Sequence, residues 1–162
     1  MRASGITVKS LIFSILVPGT LAVAVPQLLA RWRPHPSLPI GARTSRILGT
    51  LSLLAGVAIY LHTVVRFERD GGGTPSPTDE PETLVTSGLY AHSRNPMYVG
   101  VLLIVLGQAL GHRSVAVLWW AAGLWIGFHN RVIGWEEPHL AEKHGAEYED
   151  YRDRVPRWFL GL

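Results

Sequence analysis

Between Arg94 and Arg131 the chain reads NPMYVGVLLIVLGQALGHRSVAVLWWAAGLWIGFHN (residues 95–130), and Arg113 is the sole Lys, Arg, Asp or Glu within it. The stretch is two apolar runs, Asn95–His112 and Ser114–Asn130, joined by almost nothing. A helix needs ~20 apolar residues to cross the ~30 Å hydrocarbon layer of a bilayer, with a range of about 17–25. Both runs sit at the short end of that range. Gly111, His112 and Arg113 must reverse the chain between them, so the pattern predicts a tight antiparallel helical hairpin.

Working outward, two more uncharged runs precede it. Ser10–Ala30 lies between Lys9 and Arg31, and Ile47–Val65 lies between Arg46 and Arg66 with His62 inside. A short apolar run alone also suits a buried core helix. Four such runs in 162 residues, each bounded by Arg or Lys, favour membrane spans. The first run also reads as a signal peptide with Ala22-Val23-Ala24 as its small-residue cleavage site. Its continuation to Ala30 favours a retained span. Pro18 and Pro26 should kink that span and leave carbonyls for neighbouring helices to satisfy. Gly49 and Gly56, seven apart on one face of the second run, suit close helix contact. The expected fold is all-α, a polytopic membrane protein of one domain over residues 1–162. Its spans fall near 10–30, 47–65, 96–111 and 114–131, with a loop 66–95 and a short amphipathic helical tail 132–162.

Composition agrees. Charged residues are 17%, against roughly 25% in ordinary soluble domains. Mean hydropathy is +0.20. The chain has no cysteine, which excludes disulfides, a Cys nucleophile, thiolate zinc and Cys-ligated clusters. All twelve acidic residues lie at or beyond Glu68. Counted over four spans, ten Lys and Arg fall on the side of both termini and the 66–94 loop. Five (Arg31, Arg33, Arg43, Arg46 and Arg113) fall on the other, so both termini are expected in the cytoplasm. Trp32, Trp135 and Trp158 lie near span ends or in the tail, where amphipathic rings prefer the interface.

Two polar segments share the expected cytoplasmic side. The loop opens with Gly71-Gly72-Gly73-Thr74-Pro75-Ser76-Pro77, a turn-rich stretch lacking the Gly-Lys-Ser/Thr of a phosphate loop. It continues through Thr83-Leu84-Val85-Thr86-Ser87-Gly88-Leu89-Tyr90 to Arg94-Asn95-Pro96-Met97-Tyr98-Val99-Gly100. Pro96 suits a first helical turn and Asn95 an N-cap. The tail carries Trp135-Glu136-Glu137-Pro138-His139, Gly145, Tyr148, Tyr151 and Val155-Pro156-Arg157-Trp158. Gly145 is expected to end one short helix in the left-handed conformation, and Pro156 to stop the next. Tyr148 and Tyr151 share a helix face. Glu136 and Glu137 read either as a solvated helix start or, beside Arg131, as a cation site. No strand–GxGxxG–helix unit is present, so a cofactor has to bind among helices and these two segments. His139 and His144 are five apart, off one helix face, and His35 sits in a Pro-rich loop, so no metal site is expected.

These spaced motifs, Leu84–Tyr90, Arg94–Gly100 and the tail from Glu136 to Pro156, resemble the isoprenylcysteine carboxyl methyltransferase / phospholipid methyltransferase family. Its members are membrane-integral enzymes that use S-adenosylmethionine. The resemblance covers Thr83 to Trp158. It implies a cytosolic cofactor pocket roofed by the loop and the tail, lined by Thr83, Leu84, Val85, Tyr90, Arg94, Asn95, Pro96, Met97, Tyr98 and Glu136. It also implies Glu137 beside that pocket and Arg131 toward the substrate, at a spacing shifted by one, and these two are the expected catalytic residues. Asn95 stands where the Arg-His-Pro form of the motif has His, so that position cannot titrate.

The donor is a sulfonium with an α-ammonium and a carboxylate. Arg94 is expected to contribute the field for the carboxylate, and Glu136 or Glu137 to take the ammonium or ribose hydroxyls. A carboxylate directly on the sulfonium would favour the ground state, because that charge disperses as the methyl leaves. Tyr90 or Tyr98 suits the sulfonium or adenine face, worth ~0.5–2 kcal/mol. An anionic acceptor needs no base; a protonated amine would, and His92 or His129 could serve. The expected acceptor is a membrane lipid or hydrophobic small molecule, with no nucleic acid and no metal. Two other readings compete. One is a non-catalytic scaffold of the same fold. The other is a bis-histidine haem carrier through His62 and His129.

Overall fold

The computed structural model describes residues 12, 16–32, 36–73 and 80–159. The start of the first expected span, His35, Arg33 and the Thr74–Pro77 stretch lie outside the described residues. Apart from one isolated bridge between Ser37 and Ser114, the described secondary structure is helical. We number the helices α1 (Leu16–Arg31), α2 (Ala42–Arg66), α3 (Pro96–Gly111), α4 (Val115–Arg131), α5 (Glu137–His144) and α6 (Ala146–Arg154). The hairpin of α3 and α4 forms as expected, turning through His112 and Arg113, with Arg113 at φ 52°. The second helix is longer than its uncharged core. It starts at Ala42 and runs on through a π turn, Phe67–Gly71, to Gly72 at φ 70°. By length and apolarity one helix among the described residues, Ala42–Gly71, suffices to cross a membrane, with mean hydropathy 1.8 and 22% of its apolar window buried. Leu16–Arg31 and Pro96–Gly111 are apolar but shorter.

The α2–α3 seam is set by small residues. A Cβ at Gly49 would stand 2.8 Å from Gly107 O, and one at Gly56 would stand 2.7 Å from Gly100 O. Any side chain there forces the helices apart. The same stripe carries Ser45 and Ser52, whose hydroxyls donate to Leu110 O (2.6 Å) and Leu103 O (2.8 Å). Gly49 and Gly56 therefore serve an intrachain contact.

α1 joins the bundle differently. It contains a π turn, Thr20–Ala24, in which Val25 N–H bonds to Thr20 O. Leu21 O thereby loses its usual donor, Val25, and the next residue is Pro26, which has none. Ala22 O loses Pro26 as its i+4 donor outright. Both carbonyls are met from other helices: Trp120 Nε1 of α4 donates to Leu21 O at 2.9 Å, and Gln108 Nε2 of α3 donates to Ala22 O. The carbonyl that Pro26 frees, Ala22 O, is thus met from a neighbouring helix as expected, while the one that Pro18 would free lies outside the described residues. Below this turn, Ala22, Val101, Val105, Ala109, Val117 and Ala121 form the buried core between α1, α3 and α4.

The bundle has two unlike ends. At the α3–α4 turn, Leu38 N–H bonds to Arg113 O (2.8 Å) and Arg113 Nη2 returns to Leu38 O (3.0 Å). At the other end α4 continues through a third π turn, Val132–Glu136, into α5. Gly145 separates α5 from α6 at φ 55°, ψ −128°. Its φ is positive, but it lies outside the left-handed helical basin expected for it. Val155 is extended ahead of Pro156, and α6 ends there.

Candidate active site

The loop and the tail meet at one end and enclose a cavity of about 530 Å³, within the 300–1,000 Å³ range of small-molecule sites. All three π turns among the described residues abut it, through Leu21, Phe67 and Trp135. Such turns recur at functional sites because they re-aim side chains within a helix.

Every site residue expected from the sequence lies on the cavity wall except Pro96. Pro96 is fully buried at the first turn of α3 and acts by setting that helix start. Asn95 occupies the N-cap position, but its side chain makes no capping bond. Its Nδ2 donates instead to Arg157 O (3.1 Å), and Ser93 Oγ donates to the same carbonyl (3.1 Å). Arg94 N–H bonds to Pro156 O (2.9 Å). The loop end is thus laced to the tail end by backbone groups.

The two adjacent glutamates have separate fates. Glu137 is held by three contacts: Arg157 Nε to Oε1 (2.6 Å), Arg157 Nη2 to Oε2 (2.9 Å) and Arg94 Nη2 near Oε1 (3.1 Å). Burial pushes its carboxyl up, yet the Arg157 hydrogen bond and the charges of Arg94 and Arg157 outweigh this and hold it below the ordinary range. Arg94 is 8% exposed and also donates to Tyr148 OH (3.1 Å); its Nε is enclosed with no partner. Two guanidiniums around one carboxylate leave this corner with one net positive charge.

Glu136 turns the other way. Its Oε1 accepts from Arg131 Nε (2.8 Å) and from Tyr98 OH, and Arg131 Nε also reaches Tyr98 OH at 3.3 Å. Oε2 takes no described hydrogen bond. Tyr98 stacks on Phe128 at 4.5 Å between centroids. Arg131 stands 4.8 Å over Trp135, and Trp135 stacks on His139 at 5.1 Å.

Three further contacts close the roof. His139 Nε2 lies 2.9 Å and Lys143 Nζ 3.1 Å from Glu80 Oε2, so one loop carboxylate bridges consecutive turns of α5. The hydrogen bond from His139 holds the Glu80 carboxyl below its ordinary range. Tyr151 OH donates to Tyr90 O at 2.7 Å, and Tyr148 and Tyr151 pack on Leu84 and Leu140. Burial pushes the Tyr90 and Tyr151 phenols up, so both are neutral donors or packing rings.

The wall therefore has two characters. Charged and hydroxyl groups cluster under the loop and tail. Val17, Pro18, Leu21, Tyr60, Val101 and Phe128 form an apolar end between the helices. The histidines considered as bases are elsewhere. His92 is exposed and off the wall. His129 accepts from Trp158 Nε1 (3.3 Å) and stacks on Trp125, also off the wall. His62 lies against Gly88, where a Cβ would meet its Nε2 at 2.6 Å. Among the described residues no cluster suits a metal. Sequence reasoning missed Arg157, Glu80, His139 and Lys143. Only the i, i+4 spacing of Arg131, Trp135, His139 and Lys143 hinted that one face of this helix was committed.

The phospholipid methyltransferase family model matches residues 44–147, which holds the seam, the loop and both glutamates. The chain belongs to the phospholipid methyltransferase family. Among family relatives, a protein-S-isoprenylcysteine O-methyltransferase of Schizosaccharomyces pombe is 39% identical over 82 residues, 50% of this chain and 34% of that protein. The Mus musculus protein of the same name is 38% identical over 82 residues, 50% of this chain and 29% of its own length. The Saccharomyces cerevisiae one is 28% identical over 123 residues, 74% of this chain and 50% of its own. The chain thus spans about a third to a half of the curated relatives it matches. No solved structure matches it.

Proposed function

We propose that this chain is an S-adenosylmethionine-dependent methyltransferase acting on a lipid-like acceptor, as the names of its relatives suggest for a prenylated cysteine. The observation that carries the reading is a single cavity joining a charged end to an apolar end, built from loop and tail segments far apart in sequence. Bound there, S-adenosylmethionine supplies an electrophilic methyl on its sulfonium. The residues fit such a zwitterion. The corner of Arg94, Arg157 and Glu137 has a net positive charge for a carboxylate, acting through its field because Arg94 Nε is enclosed. Glu136 keeps one oxygen for an ammonium or ribose hydroxyl. Tyr98, locked by Glu136, Arg131 and Phe128, positions a flat face at the junction of the two ends. Arg131, on the cavity wall beside Tyr98 and Glu136, is assigned to an anionic reacting group of the acceptor, which needs no base. Positioning then supplies most of the rate.

The apolar surface supports integration in a membrane with four crossings. Leu16, Leu28, Ile47, Leu51, Leu54, Trp119 and Ile126 are all exposed on the helices, and large exposed apolar surfaces mark contact with a membrane or a partner. The excess of Lys and Arg on the cavity side supports a cytoplasmic site.

The test is calorimetry of S-adenosylmethionine binding to the chain in lipid nanodiscs, then incubation of methyl-labelled donor with a host lipid extract. Binding and a labelled lipid-soluble product are expected. Glu136→Gln should weaken donor binding about tenfold, equivalent to ~1.4 kcal/mol. Unchanged affinity in that variant would remove Glu136 from the site. Failure of a folded preparation to bind the donor would leave a scaffold.

A further inference from the structure

The apolar end of the cavity depends on α1 in a way its lining does not reveal. Val17, Pro18 and Leu21 come from α1 and face Tyr60, Val101 and Phe128. Ala22 of α1 is buried in the core with Val101, Val105 and Ala121. Two side-chain donors tie the backbone of its π turn to the bundle. Gln108 on α3 donates to Ala22 O, and Trp120 on α4 donates to Leu21 O at 2.9 Å. Gln27 Nε2 donates to Gln108 Oε1 at 3.0 Å, which fixes the Gln108 amide with its nitrogen toward Ala22. Neither Gln108 nor Trp120 lines the cavity.

We infer that Gln108 and Trp120 are positioning residues that set which acceptor tails the apolar end takes, by pegging the π turn of α1 against both hairpin helices. One residue of π insertion turns the preceding part of a helix by about 100° relative to the following part. Val17 and Pro18 precede the turn and Pro26 follows it, so the facing of the apolar wall is set by whether this turn holds. Loss of either donor strands a carbonyl that Pro26 cannot reach, in a part of the protein without water. The helix relieves that by moving, and the wall moves with it. The inference rests on the acceptor reading above for what occupies the apolar end.

The test measures binding and turnover of two probes, S-farnesyl-cysteine and S-butyl-cysteine with free carboxylates, on the full chain in nanodiscs. The variants are Gln108→Leu and Trp120→Phe. Each should weaken farnesyl binding at least tenfold and raise its KM by a similar factor. Butyl binding, kcat and donor affinity should stay within twofold. Equal losses on both probes, or no loss in either variant, would overturn the inference. A wild type that binds the farnesyl probe but transfers no methyl would sink the methyl-transfer reading, and the binding ratio would still decide the peg. If it binds neither probe, the inference falls as well.

Discussion

Residues 20–26, TLAVAVP, and residues 132–138, VIGWEEP, build the same device at opposite ends of their helices. In each, the sixth residue closes a π turn on the first (Val25 N–H to Thr20 O, Glu137 N–H to Val132 O), and a proline follows. Each therefore frees the carbonyls of its second and third residues. In the first turn Ala22 is 2% exposed, and protein donors reach both carbonyls. In the second, Ile133 is 42% exposed and Gly134 is open, and no described side chain donates to either. The difference is the supply of water. An unmet carbonyl inside hydrocarbon must find a protein partner, whereas one at a polar rim is hydrated. The rim turn is left free to do something else: it splits Glu136 toward Tyr98 and Glu137 toward Arg94.

That contrast can be broken in order of expected effect. Glu137→Ala leaves Arg94 and Arg157 unneutralised at the rim turn, where a lost partner in a buried ion pair costs ~3–5 kcal/mol. The expected result is release of the tail, read as proteolysis after α4 in nanodiscs at temperatures the parent withstands. Gln108→Leu removes a donor from the core turn, and an unmet buried acceptor costs about 1–3 kcal/mol. Thermal unfolding in detergent should show it, while alanine at Ile133 should fall within ~0.5 kcal/mol of the parent.

Acid should attack only the rim. Glu137 and Glu80 have lowered folded-state pKa values, so their contributions are complete above the ordinary 4.5 and fade as pH falls through the folded values. Tail protection should therefore hold at pH 6 and decline below about pH 4.5, with the α2–α3 seam unaffected by hydrogen exchange. Retained tail protection at pH 3 would contradict the role given to these carboxylates. The smallest effect is expected from Pro138→Ala. It offers Gly134 O an N–H that water already replaces, so stability should change by under ~1 kcal/mol. Donor affinity should fall, because the π turn that aims Glu136 is no longer enforced. Equal affinity would show that the turn is held by Glu137 alone.

Much of this was legible in the chain. Apolar runs bounded by Arg and Lys marked the described helix ends to within a few residues, except that α2 is extended at both ends, from Ala42 to Gly71. The glycine spacing in α2 marked a close seam, though only the structure showed that Gly100 and Gly107 were its partners. Pro18 and Pro26 announced unmet carbonyls, and the donors had to come from elsewhere. The motifs placed the site segments, but Asn95 was read as a cap and binds the tail instead. Glu137 was grouped with the reacting residues, and its two arginines occupy it.

What the amino-acid order determined alone was whatever depends on neighbours within a turn or two: the approximate helix extents, the carbonyl freed by Pro26, the breaks at Gly145 and Pro156. What only the tertiary structure decided was pairing across long separations, such as Arg94 with Glu137, Glu80 with His139, and Trp120 with Leu21. Local periodicity tells which face of a helix is apolar. It carries no information on which distant donor arrives at an orphaned carbonyl or carboxylate, because that is settled by how the helices cross.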